Sequence, residues 1–174
     1  LLIAGSPSKI FHLEEFQKAL TKFNVDCKLV VDSDICDGFP SRKISHWFQT
    51  QKKFDKLISD FKPDLILVDR QRHFAKIASK YEIPVIIHLR GDIWKELEWY
   101  KKTTYKSFVK RIVLKIWISM VKDTFDKSFS IIPICKHLEK IVKENYPNKK
   151  TSVMYSGINS DKWYPKEGIK LKHP

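Results

Sequence analysis

The chain has 174 residues, which fits one globular domain or one domain with a small appendage. Its hydrophobic share of 43% and charged share of 30% are ordinary for a soluble globular protein. No uncharged run approaches the roughly 20 apolar residues of a membrane span, so we expect no transmembrane helix in it. Cys27, Cys36 and Cys135 are odd in number and lack paired metal-site spacing, which favours free thiols in a reducing cytosol over a disulfide scaffold.

The charge balance is strongly basic. Thirty-three lysines and arginines face 20 acidic residues, which leaves a formal net charge of +13. Such a balance predicts a polyanionic partner: nucleic acid, nucleotide phosphates or an anionic membrane surface. Because most of the excess is lysine, the alternative is that lysine is simply the usual solvated residue of this surface.

The first half of the chain alternates apolar runs with helical patterns. The run LLIAGS predicts a buried first strand that closes on Gly5, and apolar residues at helical spacing follow over residues 13–23. The run CKLVVD predicts a second strand, and residues 32–45 a loop. An amphipathic helix over residues 54–61 ends before Pro63, and DLILVD predicts a third strand.

The second half continues the alternation. A helical pattern over residues 74–81 precedes Pro84, which opens a fourth strand, VIIHL. The run SFSIIPI predicts a fifth strand, a helix over residues 138–146 follows it, and SVMY (residues 152–155) predicts a sixth.

Short, solidly apolar strands that alternate with helices predict an α/β fold, a doubly wound parallel sheet of about six strands of the Rossmann-like kind. Ligands of such sheets bind beyond the carboxyl ends of the strands. This rule directs attention to the polar and glycine residues at those ends: Gly5, Ser6, Asp69, Arg70, Arg90, Gly91, Asp92, Cys135, Lys136, Ser156 and Gly157.

A long insertion, residues 94–127, separates the fourth and fifth strands. Its middle, residues 99–122, carries seven lysines or arginines and no acidic residue. A basic helix with one apolar face can lie on an anionic membrane surface. The alternative is a crossover helix whose apolar stripe packs on the sheet. The predicted stripe is Tyr105, Val109, Ile112, Ile116 and Met120, and the predicted membrane contacts are Lys102, Arg111, Lys115 and Trp117.

The first loop, AGSPSK, carries a single glycine and therefore lacks the dinucleotide-binding fingerprint. Backbone N–H groups near Gly5 and Ser6 could hold an anion, whereas the alternative is an ordinary turn between strand and helix. No phosphate-binding Walker loop, no nucleophile in a recognisable turn and no metal-ligand spacing occurs in the sequence.

The stretch HLRGDIWKE concentrates the polar residues most suited to chemistry. Arg90 can pair with phosphate, Asp92 can act as a base or bind a sugar hydroxyl, and Gly91 allows a sharp turn or close approach to a ligand. The alternative is a local Arg90–Asp92 ion pair. We expect His88 to be packed beside its strand and Asp69 to cap a helix.

Four stretches resemble group-1 glycosyltransferases in their order and spacing: FKPDLILVD, EIPVIIHLRGD, SIIPICKHLEKIV and TSVMYSGINSDKWYP. The resemblance covers nearly the whole chain. It implies the two-domain GT-B architecture and transfer of a sugar from a nucleotide-sugar donor, with retention of anomeric configuration. The family's His-Gly-Asp-like turn corresponds to Arg90, Gly91 and Asp92. Cys135 stands where the family often has serine, and the turn toward the second domain corresponds to residues 156–159.

The resemblance makes residues 1–165 the N-terminal, acceptor-side domain and residues 166–174 the start of a linker or tail. We expect both the true start and the C-terminal donor-binding domain to be missing, so the isolated chain should be inactive. The substrates implied are a nucleotide sugar and a glycan or lipid-linked acceptor, with no further cofactor and no metal. We expect a cytoplasmic protein, with peripheral attachment at the inner face of the cell membrane left open.

A different class stays open beside the transferase. The chain could be a complete, non-enzymatic α/β binding or regulatory domain whose basic helix binds membrane or nucleic acid. The basic insertion contains no recognised nucleic-acid reader motif.

Overall fold

A computed structural model describes residues 1–36, 43, 45, 52–70 and 73–157. Its centre is a parallel sheet of five strands in the order β2-β1-β3-β4-β5. The strands are β1 (Leu2–Gly5), β2 (Lys28–Val31), β3 (Ile66–Asp69), β4 (Val85–Leu89) and β5 (Ser130–Pro133). The α-helices are α1 (Ile10–Thr21), α2 (Asp32–Cys36), α3 (Lys52–Phe61), α4 (His73–Ala78), α5 (Ile93–Thr103), α6 (Phe108–Lys127) and α7 (Lys136–Asn145). The predicted α/β, Rossmann-like fold is confirmed.

Helices cover both faces of the sheet because successive strand residues point to opposite sides. Ala4 of β1 and Val68 of β3 belong to a core with the buried residues of α3 and α4. Ile3 and Leu67 belong to a second core with Leu13 of α1. This double covering explains why the strands are apolar throughout rather than alternating.

The sixth predicted strand is present only as an isolated parallel bridge between Thr151 and Ile131. The amide of Ile131 donates to the carbonyl of Lys150 (3.1 Å), and the amide of Met154 donates to the carbonyl of Pro133 (3.0 Å). A continuous parallel pairing would also need a hydrogen bond donated by the backbone N–H of residue 133. That residue is proline, which has no N–H, so the pairing is interrupted there. The segment therefore follows the edge of β5 without forming a continuous strand.

The predicted loop over residues 32–45 begins instead with the short helix α2, whose Asp32 and Cys36 are buried. Cys36 and the neighbouring Ile35 pack against the core on the α3 and α4 side, and this packing explains why the segment leaves β2 as a helix. Residues 37–42 and 44 of the predicted loop lie outside the described residues, as do Ile158, Asn159 and the predicted tail.

The insertion between β4 and β5 forms α5 and α6, and the predicted apolar stripe does not pack on the sheet along its whole length. Val109, Ile112 and Ile116 are exposed, whereas Met120 is buried and Tyr105 packs against the core. The face that packs inward is instead the one that carries Leu114, Val121 and Phe125. Helix α6 has two apolar stripes, and helical periodicity does not say which of them meets the sheet.

Gly5 allows α1 to approach the sheet closely. A Cβ atom at Gly5 would lie 2.0 Å from Cδ1 of the buried Leu13, whereas one at Gly91 would meet only the flexible end of Glu96. We expect Gly5→Ala to lower the free energy of unfolding by about 1–3 kcal/mol, because a packed core resists an added methyl group.

The matched control is Gly91→Ala, which should change stability by less than about 1 kcal/mol, since Gly91 does not have a positive φ. Urea denaturation of both variants measures the difference. Equal effects in the two variants would contradict the packing role of Gly5.

Candidate functional site

A cavity of about 510 Å³ lies at the carboxyl edge of the sheet, between α1 and the end of β4. Phe16 of α1 contributes apolar surface to its walls, and Arg90 after β4 contributes a basic group. The stretch from Tyr155 through Ser156 to Gly157 forms another part of the lining. Its ionisable lining also includes His12, Glu15, Lys18, Lys22 and His88. This is the edge at which open α/β sheets bind ligands.

Three side chains at the cavity form one cluster, of which Asp69 and His88 are buried and Arg90 is partly exposed. Asp69 and His88 are paired in the β3–β4 register, and Arg90 follows His88 by two residues, so all three side chains belong to the same face of the sheet. His88 Nδ1 lies 3.2 Å from Asp69 Oδ1, and Arg90 Nε donates to the same oxygen at 2.5 Å. The side chain of Asp69 is fully buried.

The charge state of Asp69 is set by competition between burial and pairing. Burial acts to raise the pKa of this carboxyl group, but the hydrogen bonds from His88 and Arg90 and the charge of Arg90 outweigh it, so the pKa lies below its ordinary value. The carboxylate is therefore ionised at neutral pH and holds Arg90 in a charge-assisted hydrogen bond.

Arg90 is suited to bind an anion in the cavity. Its Nε is occupied by Asp69, and the guanidinium lines the cavity. Within the described part of the chain, no acceptor is hydrogen-bonded to its two terminal amino groups. A guanidinium anchored at Nε can present these amino groups as a two-pronged donor to phosphate or carboxylate.

His88 connects the cluster to the segment after β5. Its Nε2 lies 3.3 Å from the carbonyl oxygen of Met154, while its Nδ1 faces Asp69. Both neighbours are acceptors, so the ring makes both hydrogen bonds at once only when both nitrogens carry a proton. The contact with Met154 holds the chain next to Tyr155, Ser156 and Gly157, which form one wall of the cavity.

Arg70 has an unusual backbone conformation next to this cluster. Its φ angle is +83°, in the left-handed region that non-glycine residues rarely adopt. Its amide donates to the carbonyl of His88 at 3.1 Å. Strained residues of this kind concentrate at functional sites, and no sequence pattern identifies them.

Asp92 serves as the N-cap of α5. Its Oδ1 accepts a hydrogen bond from the amide of Lys95 at 3.1 Å, and its Oδ2 lies 3.7 Å from the Lys95 ammonium group. The Arg90–Asp92 ion pair considered from the sequence does not form, because Arg90 pairs with Asp69. Asp69 in turn is a buried acceptor rather than the expected helix cap.

The predicted glycine and serine positions near β1 have packing roles, whereas a side chain at Gly91 would meet only the flexible end of Glu96. Gly5 lies against Leu13, and the side-chain oxygen of the buried Ser6 lies 3.4 Å from that of Ser8. Gly91 does not have a positive φ. These residues shape the edge of the sheet and are not among those that line the cavity.

The structure brings Arg90, Ser156 and Gly157 together at the cavity, whereas Cys135 and Lys136 lie elsewhere. Cys135 is the N-cap residue of α7 without a side-chain capping bond, and Lys136 is the first residue of that helix. Sequence reasoning missed the contribution of α1, because the sequence does not show that the basic residues of this helix line the same cavity as Arg90. In the described ranges, no three His, Cys, Asp or Glu side chains are grouped to hold a metal ion.

A second cavity of similar volume lies between Trp94 and the end of α7. Lys149 at its edge donates to the carbonyl oxygens of Asp126 and Ser128, and burial lowers the pKa of this lysine. Burial also raises the pKa of Tyr146 to about 12. The hydrogen bonds of Lys149 satisfy carbonyl groups at the end of α6 and before β5, which is a structural role. We therefore assign the ligand site to the other cavity, at the carboxyl edge of the sheet.

Comparison of the chain with models of known protein families found no match, and comparison with curated proteins found none either.

The Asp69 cluster predicts a specific acid sensitivity. A carboxyl group whose folded pKa is depressed stabilises the fold above its unfolded pKa of about 3.9, and this contribution disappears as the pH falls through the folded value. We expect Asp69→Asn to lower the free energy of unfolding by about 3 kcal/mol at pH 7, because Arg90 loses its buried counter-charge.

Below pH 4 the unfolding free energy of Asp69→Asn should fall less steeply than that of the unmodified chain, by up to about 1.4 kcal/mol per pH unit. Urea denaturation across the acid range measures both slopes. Identical acid slopes in the two proteins would contradict the assignment.

Proposed function

We propose that this chain is the N-terminal, acceptor-side domain of a glycosyltransferase with two Rossmann-like domains, which uses a nucleotide-sugar donor. The observation that carries the proposal is the cavity at the carboxyl edge, where Arg90, Ser156 and Gly157 come together. Two of the four sequence stretches that resemble group-1 glycosyltransferases contribute these residues. The parallel sheet with helices on both faces is the fold that this architecture requires.

Arg90 has the chemistry that sugar transfer from a nucleotide diphosphate needs. When the acceptor hydroxyl attacks the anomeric carbon, a new C–O bond forms and the bond to the phosphate oxygen breaks. The electron pair leaves with the departing diphosphate, on which negative charge grows, and the hydroxyl proton passes to a base or to the departing phosphate oxygen. A guanidinium fixed by a buried carboxylate stabilises that charge without first having to reorient. The Asp69 pairing supplies this preorganisation.

The α1 wall suits the acceptor. Lys22 brings positive charge to the cavity, Lys18 is paired there with Glu15 at 3.5 Å, and Leu13 and Phe16 bring apolar surface. An acceptor that joins hydroxyl or phosphate groups to an apolar part, such as a lipid-linked glycan, matches this mixture. The second domain would supply most contacts to the nucleotide sugar.

The competing function is a complete, non-enzymatic α/β binding or regulatory domain. The coding sequence that follows Pro174 distinguishes the two. A second Rossmann-like domain there supports the transferase, whereas a stop codon directly after Pro174 rejects it.

Arg90 is the residue that tests the proposed site, and Arg90→Lys is the informative change. Lysine keeps a positive charge beside Asp69 but loses the Nε hydrogen bond and the two-pronged geometry, so stability should fall by about 1–3 kcal/mol. In the two-domain protein we expect turnover to fall about a hundredfold, measured as nucleoside diphosphate released from a panel of nucleotide sugars.

Lys56→Gln, an exposed change on α3, controls for the loss of a lysine and should leave turnover unchanged. Near-normal turnover of Arg90→Lys and Arg90→Ala would reject Arg90 as part of the site.

Substitutions at Asp92 distinguish a role in helix capping from a role in the reaction. Asparagine caps helices as well as aspartate, whereas alanine does not and should cost about 1 kcal/mol of stability. If the carboxylate takes a proton from the acceptor or binds a sugar hydroxyl, Asp92→Asn should reduce turnover at least tenfold while the thermal unfolding midpoint stays unchanged. Full activity of Asp92→Asn would leave Asp92 as a helix cap alone.

A further inference from the structure

Helix α6 presents an exposed apolar row that no described part of the chain covers. Phe108, Val109, Ile112 and Ile116 are 79%, 69%, 44% and 48% exposed. Their spacings of three and four residues place them along one side of the helix. Four large apolar side chains side by side on a surface are typical of an interaction site, whereas single ones are not.

Basic residues border this row. Arg111 and Lys115 each come one position before an apolar member of the row and are exposed, so they form a second row along its flank. We call the two rows together the α6 outer face: Phe108, Val109, Arg111, Ile112, Lys115 and Ile116. The nearest acidic residue of α6 is Asp123, which pairs with Lys76 and Lys127. Those hydrogen bonds, from Lys76 above all, lower the pKa of its carboxyl group.

We propose that the α6 outer face docks on an anionic lipid bilayer, with the helix lying in the plane of the interface. The apolar row enters the boundary between headgroups and acyl chains, and the basic row contacts lipid phosphates. No described helix is long and apolar enough to cross a membrane. The inference goes beyond the proposed transfer reaction and does not depend on it.

Two other occupants fit the face less well. Nucleic-acid phosphates attract the basic row but provide no partner for exposed isoleucine and phenylalanine side chains. A second copy of the chain, packed with its helix antiparallel about a two-fold axis, would bring the two basic rows to the same side, where they repel. An anionic bilayer satisfies both rows, and the absence of acidic residues from residues 99–122 favours it.

The sequence-predicted membrane contacts are only partly suited to this role. Lys102, Arg111 and Lys115 are exposed. Trp117 is half-buried and packs with Tyr100 and Tyr105 between α5 and α6, with ring centroids 5.3 and 6.4 Å away. We therefore expect the apolar contact with lipid to be made by the exposed row and not by Trp117.

Co-sedimentation of the purified 174-residue chain with vesicles tests the proposal. We expect binding to vesicles of phosphatidylcholine mixed with phosphatidylglycerol at low salt, and much weaker binding to phosphatidylcholine alone. High salt should weaken the binding without abolishing it, because insertion of apolar side chains is not screened.

The chain offers a matched pair of phenylalanines for the apolar row. Phe108→Ser should lower the partition coefficient about tenfold, because one large apolar side chain no longer enters the bilayer. Phe23 is 77% exposed, close to the 79% of Phe108, but it follows α1, which packs on β1 and β2. Phe23→Ser should therefore leave binding unchanged.

A second pair tests the basic row. Lys115→Gln should lower the partition coefficient roughly fivefold, the effect of one lysine near an anionic surface. Lys56→Gln removes an exposed lysine from α3 and should have no effect. Circular dichroism verifies that all four variants are folded.

Several outcomes would overturn the proposal. These are no co-sedimentation at low salt, equal losses in Phe108→Ser and Phe23→Ser, and complete loss of binding in high salt. Tight salt-dependent binding to duplex DNA without vesicle binding would assign the face to nucleic acid. A dimer that Ile112→Ser dissociates, without vesicle binding, would assign it to a second copy.

Discussion

A single buried carboxylate organises the carboxyl edge of this sheet. Both His88 Nδ1 and Arg90 Nε lie within hydrogen-bond distance of Asp69 Oδ1. A buried carboxylate is tolerated only when such partners compensate for its lost hydration. Because His88 also reaches the Met154 carbonyl, the same group fixes the wall that follows β5. The position of the Arg90 guanidinium and the position of the cavity wall next to Met154 therefore both depend on the cluster around Asp69.

The other side of the cavity depends on packing rather than charge. Leu13 of α1 occupies the space that a side chain at Gly5 would fill, so α1 lies close to β1 at the carboxyl edge. The same helix carries the cavity-lining Lys18 and Phe16. One side of the cavity is thus positioned by the ion pair and hydrogen bonds around Asp69, and the other side, helix α1, is positioned by close apolar contact.

The polar residues at the strand ends show why function is hard to assign from position alone. Asp92 fulfils the N-cap preference of its residue type, and that role can be predicted from the sequence around it. The role of Asp69 cannot, because its partners come from the neighbouring strand and depend on the β3–β4 register. The strain at Arg70 is likewise a product of the folded chain.

Local patterns determined the five strands of the sheet, the longer helices and the parallel class, because an apolar run between turn-forming residues has few other stable conformations. Strand order, the packing stripe of α6 and the interruption at Pro133 were decided by tertiary structure. Each depends on which surface a segment meets, and residues distant in the chain supply that surface. For the same reason the sequence indicated Arg90, Ser156 and Gly157 one by one, and only the fold placed them around one cavity.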